Sequence, residues 1–324
     1  MANPLRIGGG LDVEQSLPRI VSELQRFEEA GFAHAFASQI FGPDALTLLA
    51  VAGAQVPRIG LGTGVVPVYP RHPMMLAQQA LTVQAATGNR LLLGIGLSHQ
   101  VVVEGMWGYS FDRPLAYMRE YLASLMPMLH GETVSSAGER VTTNAFSPVG
   151  PKEASAPPVL VAALGTAMLR LAGTVADGTM TWMTGVSTIR DHIAPTIVAA
   201  AAEAGRPAPR VVVALPVVVT SDVTAAKERI DKVTAIYPTL PSYRAMLDKE
   251  GAASASDIAL IGSESEVVDG LGQLAAAGAT DFVASIIGDE SERDRSFALL
   301  SELARAGGRP AGRPAGVSGR AWCA

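Results

Sequence analysis

Between Asp44 and Glu104 the sequence has no carboxylate, yet it carries Arg58, Arg71 and Arg90 with His72 and His99. In a chain of net charge −5 such a stretch suits a negatively charged ligand. Gly60, Gly62 and Gly64 alternate within it, where glycine weakens a strand, so either a bulge or a flat ligand lying on the backbone accounts for them. His99 stands two residues beyond an apolar run. A histidine near neutral pH both gives and takes a proton, as chemistry at C=C, C=N or a carbonyl requires; the bland alternative is a residue that caps the next segment. Further on, Leu164-Gly165-Thr166 precedes a helical pattern whose first amides are free to close around a phosphate, or it is a plain turn. His34, His72, His130 and His192 lie far apart without ligand spacing, and the single cysteine, Cys323, cannot build a thiolate cage. No metal site is expected.

These groups meet only if the elements between them bring strand ends together. Apolar runs bounded by glycine predict strands at Leu5–Gly8, His34–Ser38, Gly60–Gly64, Arg90–Leu97, Val159–Ala163, Thr179–Met183, Arg210–Thr220 and Asp281–Ile287. Helical patterns separate them, with a clear start where Ser263 and Glu266 make a capping box. Eight strands, each followed by a helix, predict an α/β fold of the (β/α)₈ TIM-barrel kind, with a small hairpin at Val134–Phe146 inserted after strand four. The pattern reads as one domain over 1–306, and the Gly-Arg-Pro-Ala tail at 307–324 has no burial pattern. Active sites of such barrels lie at the carboxyl ends of the strands, which here carry Gln39, Gly64, Val65, Ser98, His99, Leu164, Gly165, Thr166, Trp182 and Met183. Trp182 and Met183 are expected either on the substrate side or in the core. The excursion after strand four, with Trp107, is expected to shape the pocket.

The run Gly62-Thr63-Gly64-Val65-Val66-Pro67, followed by Tyr69-Pro70-Arg71-His72-Pro73 and Leu76-Ala77-Gln78-Gln79, resembles the bacterial luciferase-like superfamily, and within it the deazaflavin-dependent hydride transferases. The resemblance continues in Gly94-Ile95-Gly96-Leu97-Ser98-His99, in Phe111-Asp112-Arg113-Pro114 and in Ala163-Leu164-Gly165, so that it covers about residues 5 to 290. It implies a non-proline cis peptide at Gly64–Val65 against the rear of the deazaflavin ring. It also implies cofactor contacts from Gln39, Thr63, Ser98, His99, Ala163, Leu164, Gly165 and Thr166, a phosphate clasp at Leu164-Gly165-Thr166, and a catalytic or ring-polarising His99. The branch that oxidises a sugar phosphate has a basic histidine where this sequence has Ile40, which argues against alcohol oxidation. The expected activity is therefore that of a coenzyme F420-dependent oxidoreductase reducing an activated C=C or C=N bond of a small molecule.

Bulk properties narrow the field further. A hydrophobic fraction of 48% in 324 residues permits a large core, while the longest apolar run, Val211–Val219, is broken by Pro216 and too short for a bilayer. The opening residues lack a charged region followed by an apolar one, so a cytoplasmic location is expected. A pI near 5.6 without a basic cluster gives nucleic-acid binding no support. A dinucleotide fold is excluded because no helix follows Gly64 directly and the next acid is Glu104. Two rival readings share the barrel: an FMN-dependent monooxygenase, and a non-catalytic cofactor-binding subunit. Proteins similar to this one are commonly homodimers.

Overall fold

A computed structural model describes residues 5–307; the tail beyond Gly307 and Cys323 lie outside the described residues. The chain runs β1 (Arg6–Gly10), α1 (Leu17–Ala30), β2 (His34–Ala37), α2 (Ala45–Gly53), β3 (Gly60–Thr63), β4 (Val66–Pro67), α3 (Pro73–Thr87) and β5 (Leu91–Gly96). After α4 (Gln100–Gly105) and α5 (Pro114–Leu129) comes the antiparallel hairpin of β6 (Val134–Ala137) and β7 (Thr142–Ala145). Then follow β8 (Val159–Val161), α6 (Thr166–Val175), β9 (Gly178–Trp182), and α7 (Val186–Thr188), which continues through a π-helical turn (Ile189–Ile193) into α8 (Ala194–Glu203). The last part is β10 (Arg210–Val219), α9 (Val223–Val233), α10 (Pro241–Glu250), β11 (Leu260–Gly262), α11 (Glu264–Ala276), β12 (Asp281–Ile286) and α12 (Glu290–Gly307).

Eight parallel strands close on themselves in the order β1, β2, β3, β5, β8, β9, β10, β12 and back to β1. The expected (β/α)₈ barrel and its insertion after the fourth barrel strand are both present. The non-proline cis peptide expected at Gly64-Val65 is present. One detail differs from the sequence reading: strand three ends at Thr63 and, beyond the cis bond, resumes as the separate β4 against β5. A 3₁₀ turn, Ala255–Ile258, precedes β11, which pairs with the far end of β10.

Alternation along the strands gives two cores. The larger lies between strands and helices; the smaller fills the barrel with Phe36, Leu92, Leu160, Met180, Val212, Ala214 and Val283, and Val65 and Trp182 pack on it. The glycines of strand three belong to this filling. A Cβ on Gly62 would stand 2.3 Å from the Phe36 ring, and one on Gly60 would stand 2.3 Å from the His34 ring. Gly60 and Gly62 therefore make room for neighbouring aromatic rings rather than for a ligand.

The amino ends of the strands hold an ion cluster. Asp281 at the start of β12 binds Arg6 at 2.8 Å and Arg210 at 2.5 Å. Burial alone would raise its carboxyl, but Arg210 and then Arg6 hold it below the usual range. His34 lies beside this cluster, and burial, reinforced by Arg210, pushes its pKa down to about 4. The three arginines of the acid-free stretch are likewise structural. Arg58 pairs with Glu28 at 3.1 Å, Arg71 pairs with Asp44, and Arg90 donates to the carbonyls of Thr87 (2.6 Å), Gly53 (2.7 Å) and Ile59.

Candidate active site

At the carboxyl end of β5 the left-handed backbone of Ser98 (φ 63°) turns the chain, and His99 caps α4 with its carbonyl, which accepts from Val102 and Val103. The His99 side chain makes no capping bond, so its ring is free for other work. Burial lowers its pKa, which keeps it neutral at pH 7. Its ring centroid lies 5.7 Å from that of Tyr243 on α10. Tyr243 meets Tyr237 edge to face at 5.0 Å, and Tyr237 meets Trp182 edge to face at 5.9 Å. Trp182 ends β9 and rests on the barrel filling, as Val65 does. Four rings from distant parts of the chain thus form a wall from the end of β5 to the end of β9. Burial raises the pKa of both tyrosines, with the indole N–H of Trp182 partly offsetting it at Tyr237, so both phenols stay protonated.

Between β5 and β9 in the barrel, β8 leads into α6. The Leu164 carbonyl accepts a hydrogen bond from His192 in the π-helical turn, Nε2 lying 2.7 Å away. A carbonyl only accepts, so Nε2 carries the proton. Gly165 is the N-cap of α6 in extended conformation, with no side-chain cap bond and no acid in the first turn. A Cβ there would meet nothing within 4 Å, and Gly165 and Thr166 are exposed. The first amides of α6 therefore face open space with the positive end of the helix dipole behind them. Such an end fits a phosphate.

The remaining expected site residues divide. Gln39 and Trp107 line a separate cleft of about 580 Å³ at the ends of β2 and β4, together with Arg71 and His72. The Gln39 side-chain oxygen accepts from Ala45 N at 3.1 Å, which caps α2. His72 holds the turn after strand three, accepting from Met74 N and donating to the Thr142 carbonyl at 2.8 Å. Thr63, Ala163 and Met183, expected on the site surface, are 0%, 1% and 1% exposed. Their side chains sit inside the packing. The Thr63 hydroxyl bridges the sheet, donating to Gly94 O at 2.7 Å and accepting from Gly94 N at 2.8 Å. The left-handed backbone of Met183 (φ 55°) carries its side chain into the helix-facing core. Tyr237, Tyr243 and His192 reach the site without any local sequence signal, since each follows a strand end by a helical segment.

The sequence profile of the family described as luciferase-like monooxygenase matches residues 1–281. The chain belongs to the luciferase-like family. A Mycobacterium tuberculosis member, named as a coenzyme F420-dependent oxidoreductase, is 30% identical over 281 residues, covering 81% of this chain and 78% of its own. Among solved luciferase-like barrels, the coenzyme F420-dependent tetrahydromethanopterin reductase of Methanopyrus kandleri superposes with a TM-score of 0.79 at 21% identity, covering 93% of this chain and 98% of that one. The oxygenating constituent of 3,6-diketocamphane monooxygenase of Pseudomonas putida, solved with FMN, superposes with a TM-score of 0.72 at 18% identity, covering 94% and 98%. The proteins that this chain resembles thus include one named as F420-dependent and, by fold, one solved with FMN.

Proposed function

We propose that this luciferase-like protein is a cytoplasmic oxidoreductase that uses coenzyme F420 and acts on a small organic substrate, reducing an activated C=C or C=N bond. The observation that carries the reading is the sharing of one barrel end by a neutral, partly buried histidine, His99, and an uncapped helix amino end at Gly165. The residues present fit the cofactor. Leu164, Gly165 and Thr166 would hold its phosphate, Gly64, Val65 and Ser98 would border its ring, and Gln39 and Trp107 lie on the side of the Arg71 cleft. Bound there, the deazaflavin would supply two electrons as a hydride while reacting poorly with oxygen.

The chain's own part is the proton. A neutral imidazole takes one readily and gives one once charged, and the aromatic neighbours of His99 keep bulk water from competing. Ile40, where a histidine base serves in the sugar-phosphate branch, is 59% exposed and offers no proton acceptor. Among the described residues no group of three or more His, Cys, Asp or Glu could hold a metal ion, and no helix is long and apolar enough to cross a membrane.

Absorbance and thermal-shift titrations with oxidised and reduced F420, run beside FMN, test the proposal. Saturable F420 binding with a raised melting temperature is expected. Tight FMN binding coupled to oxygen consumption would establish the monooxygenase reading instead, and binding of neither cofactor would favour a non-catalytic subunit.

A further inference from the structure

The wall of His99, Tyr243, Tyr237 and Trp182 exceeds what proton transfer needs. Only His99 has a proton role, yet three further rings are aligned with it, two of them from the crossover between β10 and β11. The wall is uncharged at neutral pH, because burial keeps the imidazole neutral and both phenols protonated. Charged groups beside it in the chain are engaged elsewhere or face solvent. Arg244 binds Asp248 at 2.8 Å and the carbonyls of Ala252 and Ala253, Glu250 caps α7 through the amides of Ser187 and Thr188, and Lys232 and Lys249 are exposed.

A substrate phosphate or carboxylate against this wall would lose water without gaining a cation. A flat conjugated face gains instead, since edge-to-face and offset ring contacts add to simple burial. The Trp182 N–H supports the same class: it lies near enough to the Tyr237 hydroxyl to feel it, yet it is buried without a hydrogen bond of good geometry, a donor poorly satisfied at the foot of the wall. An uncharged carbonyl suits such a donor.

We propose that Tyr237 and Tyr243, with Trp182 and His99, are the substrate-recognition surface, and that it selects an uncharged planar conjugated carbonyl compound over sugar phosphates and carboxylates. This rests on the assignment of the mouth as the active site, but not on which cofactor binds there.

Calorimetric titration with 2-naphthaldehyde and 2-naphthoate, two ligands of one ring system that differ in charge, tests the inference, with glucose 6-phosphate as a third ligand. Each is titrated into the protein alone and into the protein saturated with F420. The aldehyde is expected to bind at least roughly tenfold more tightly than either anion. Tyr237→Ala and Tyr243→Ala are each expected to weaken it by roughly two- to tenfold, the worth of one aromatic pair, and Tyr→Phe at either position to restore it. F420 affinity, measured separately by absorbance, is expected to stay the same in all four variants. Equal or tighter binding of the anions, no binding of the aldehyde, or Phe variants as weak as the Ala variants would overturn the proposal. Failure of F420 to bind the unaltered protein would instead count against the proposed function, while the charge preference of the wall would remain measurable on the protein alone.

Discussion

At His99 the physical demand is for a group that changes its proton within one catalytic cycle. Its lowered pKa leaves the neutral form in excess at pH 7. His99→Ala is expected to cut turnover by about 10² to 10⁴-fold with little change in F420 affinity, as single-turnover and binding measurements on the same variant would resolve. Gly165 poses the opposite question, of affinity without chemistry. Its backbone (φ −80°, ψ 147°) suits any residue and the space around it is open, so Gly165→Leu should fold normally. It is expected to weaken F420 by roughly tenfold or more while leaving turnover at saturation nearly intact, as absorbance titration and saturation kinetics would measure. An unchanged dissociation constant would remove the phosphate clasp. That His99 and Gly165 stand at the carboxyl ends of barrel strands was legible in the sequence, because each comes within a few residues of the end of an apolar strand. The three arginines of the acid-free stretch are spent on the fold in ways the local sequence does not show: Asp44, which pairs with Arg71, bounds the stretch, Glu28, which pairs with Arg58, precedes it, and Arg90 is taken up by backbone carbonyls.

Strand three explains why an element can be read correctly and its glycines wrongly. Its position follows from the apolar pattern, but whether a missing Cβ faces a ligand or a neighbouring ring depends on β2, which the register places alongside with His34 opposite Gly60 and Phe36 opposite Gly62. Gly62→Ala is expected to cost about 1 to 3 kcal/mol through overpacking against Phe36, measured by urea denaturation. Phe36→Leu in the same chain should recover part of the loss, and an unchanged midpoint in the single variant would mean the barrel filling is looser than its contacts indicate. The π-helical turn was not legible at all. Its extra residue per turn leaves no pattern of apolar spacing, yet it brings His192 to the Leu164 carbonyl and so fixes the approach to α6.

The whole barrel separates stability from chemistry along its axis. The amino ends of the strands are tied by Asp281, Arg6 and Arg210, far from the mouth in the sense of strand direction. Asp281→Asn is expected to destabilise the fold by about 3 kcal/mol, at the low end for a broken buried pair because Arg6 is 46% exposed, and to leave turnover unchanged. His34 gives the same end of the barrel a pH dependence. Its folded pKa of about 4 lies below the unfolded value near 6.5, so the unfolded chain binds the extra proton and stability falls as pH drops from 6.5 to 4. The loss from this residue is at most about 3 kcal/mol. Glu23, raised to about 7 mainly by burial, works in the opposite direction, since protonation at lower pH favours its folded form. The test is therefore the difference between the unaltered protein and His34→Asn in denaturation midpoints at pH 4 and pH 7, which should narrow toward the acid side; a constant difference would mean His34 titrates normally.

The ten-residue β10 serves as more than one stave of the cask. It borders β9 and β12, and at Val217–Val219 it also grips β11, so the segment bearing Tyr237 and Tyr243 leaves from β10 and returns, through β11, to the far end of the same stave. Pulling β10 out of the ring would let the two tyrosines drift from the histidine. Choosiness toward substrate is thus bound to the wholeness of the ring, and a half-assembled cylinder would lose its discrimination before it lost its helices.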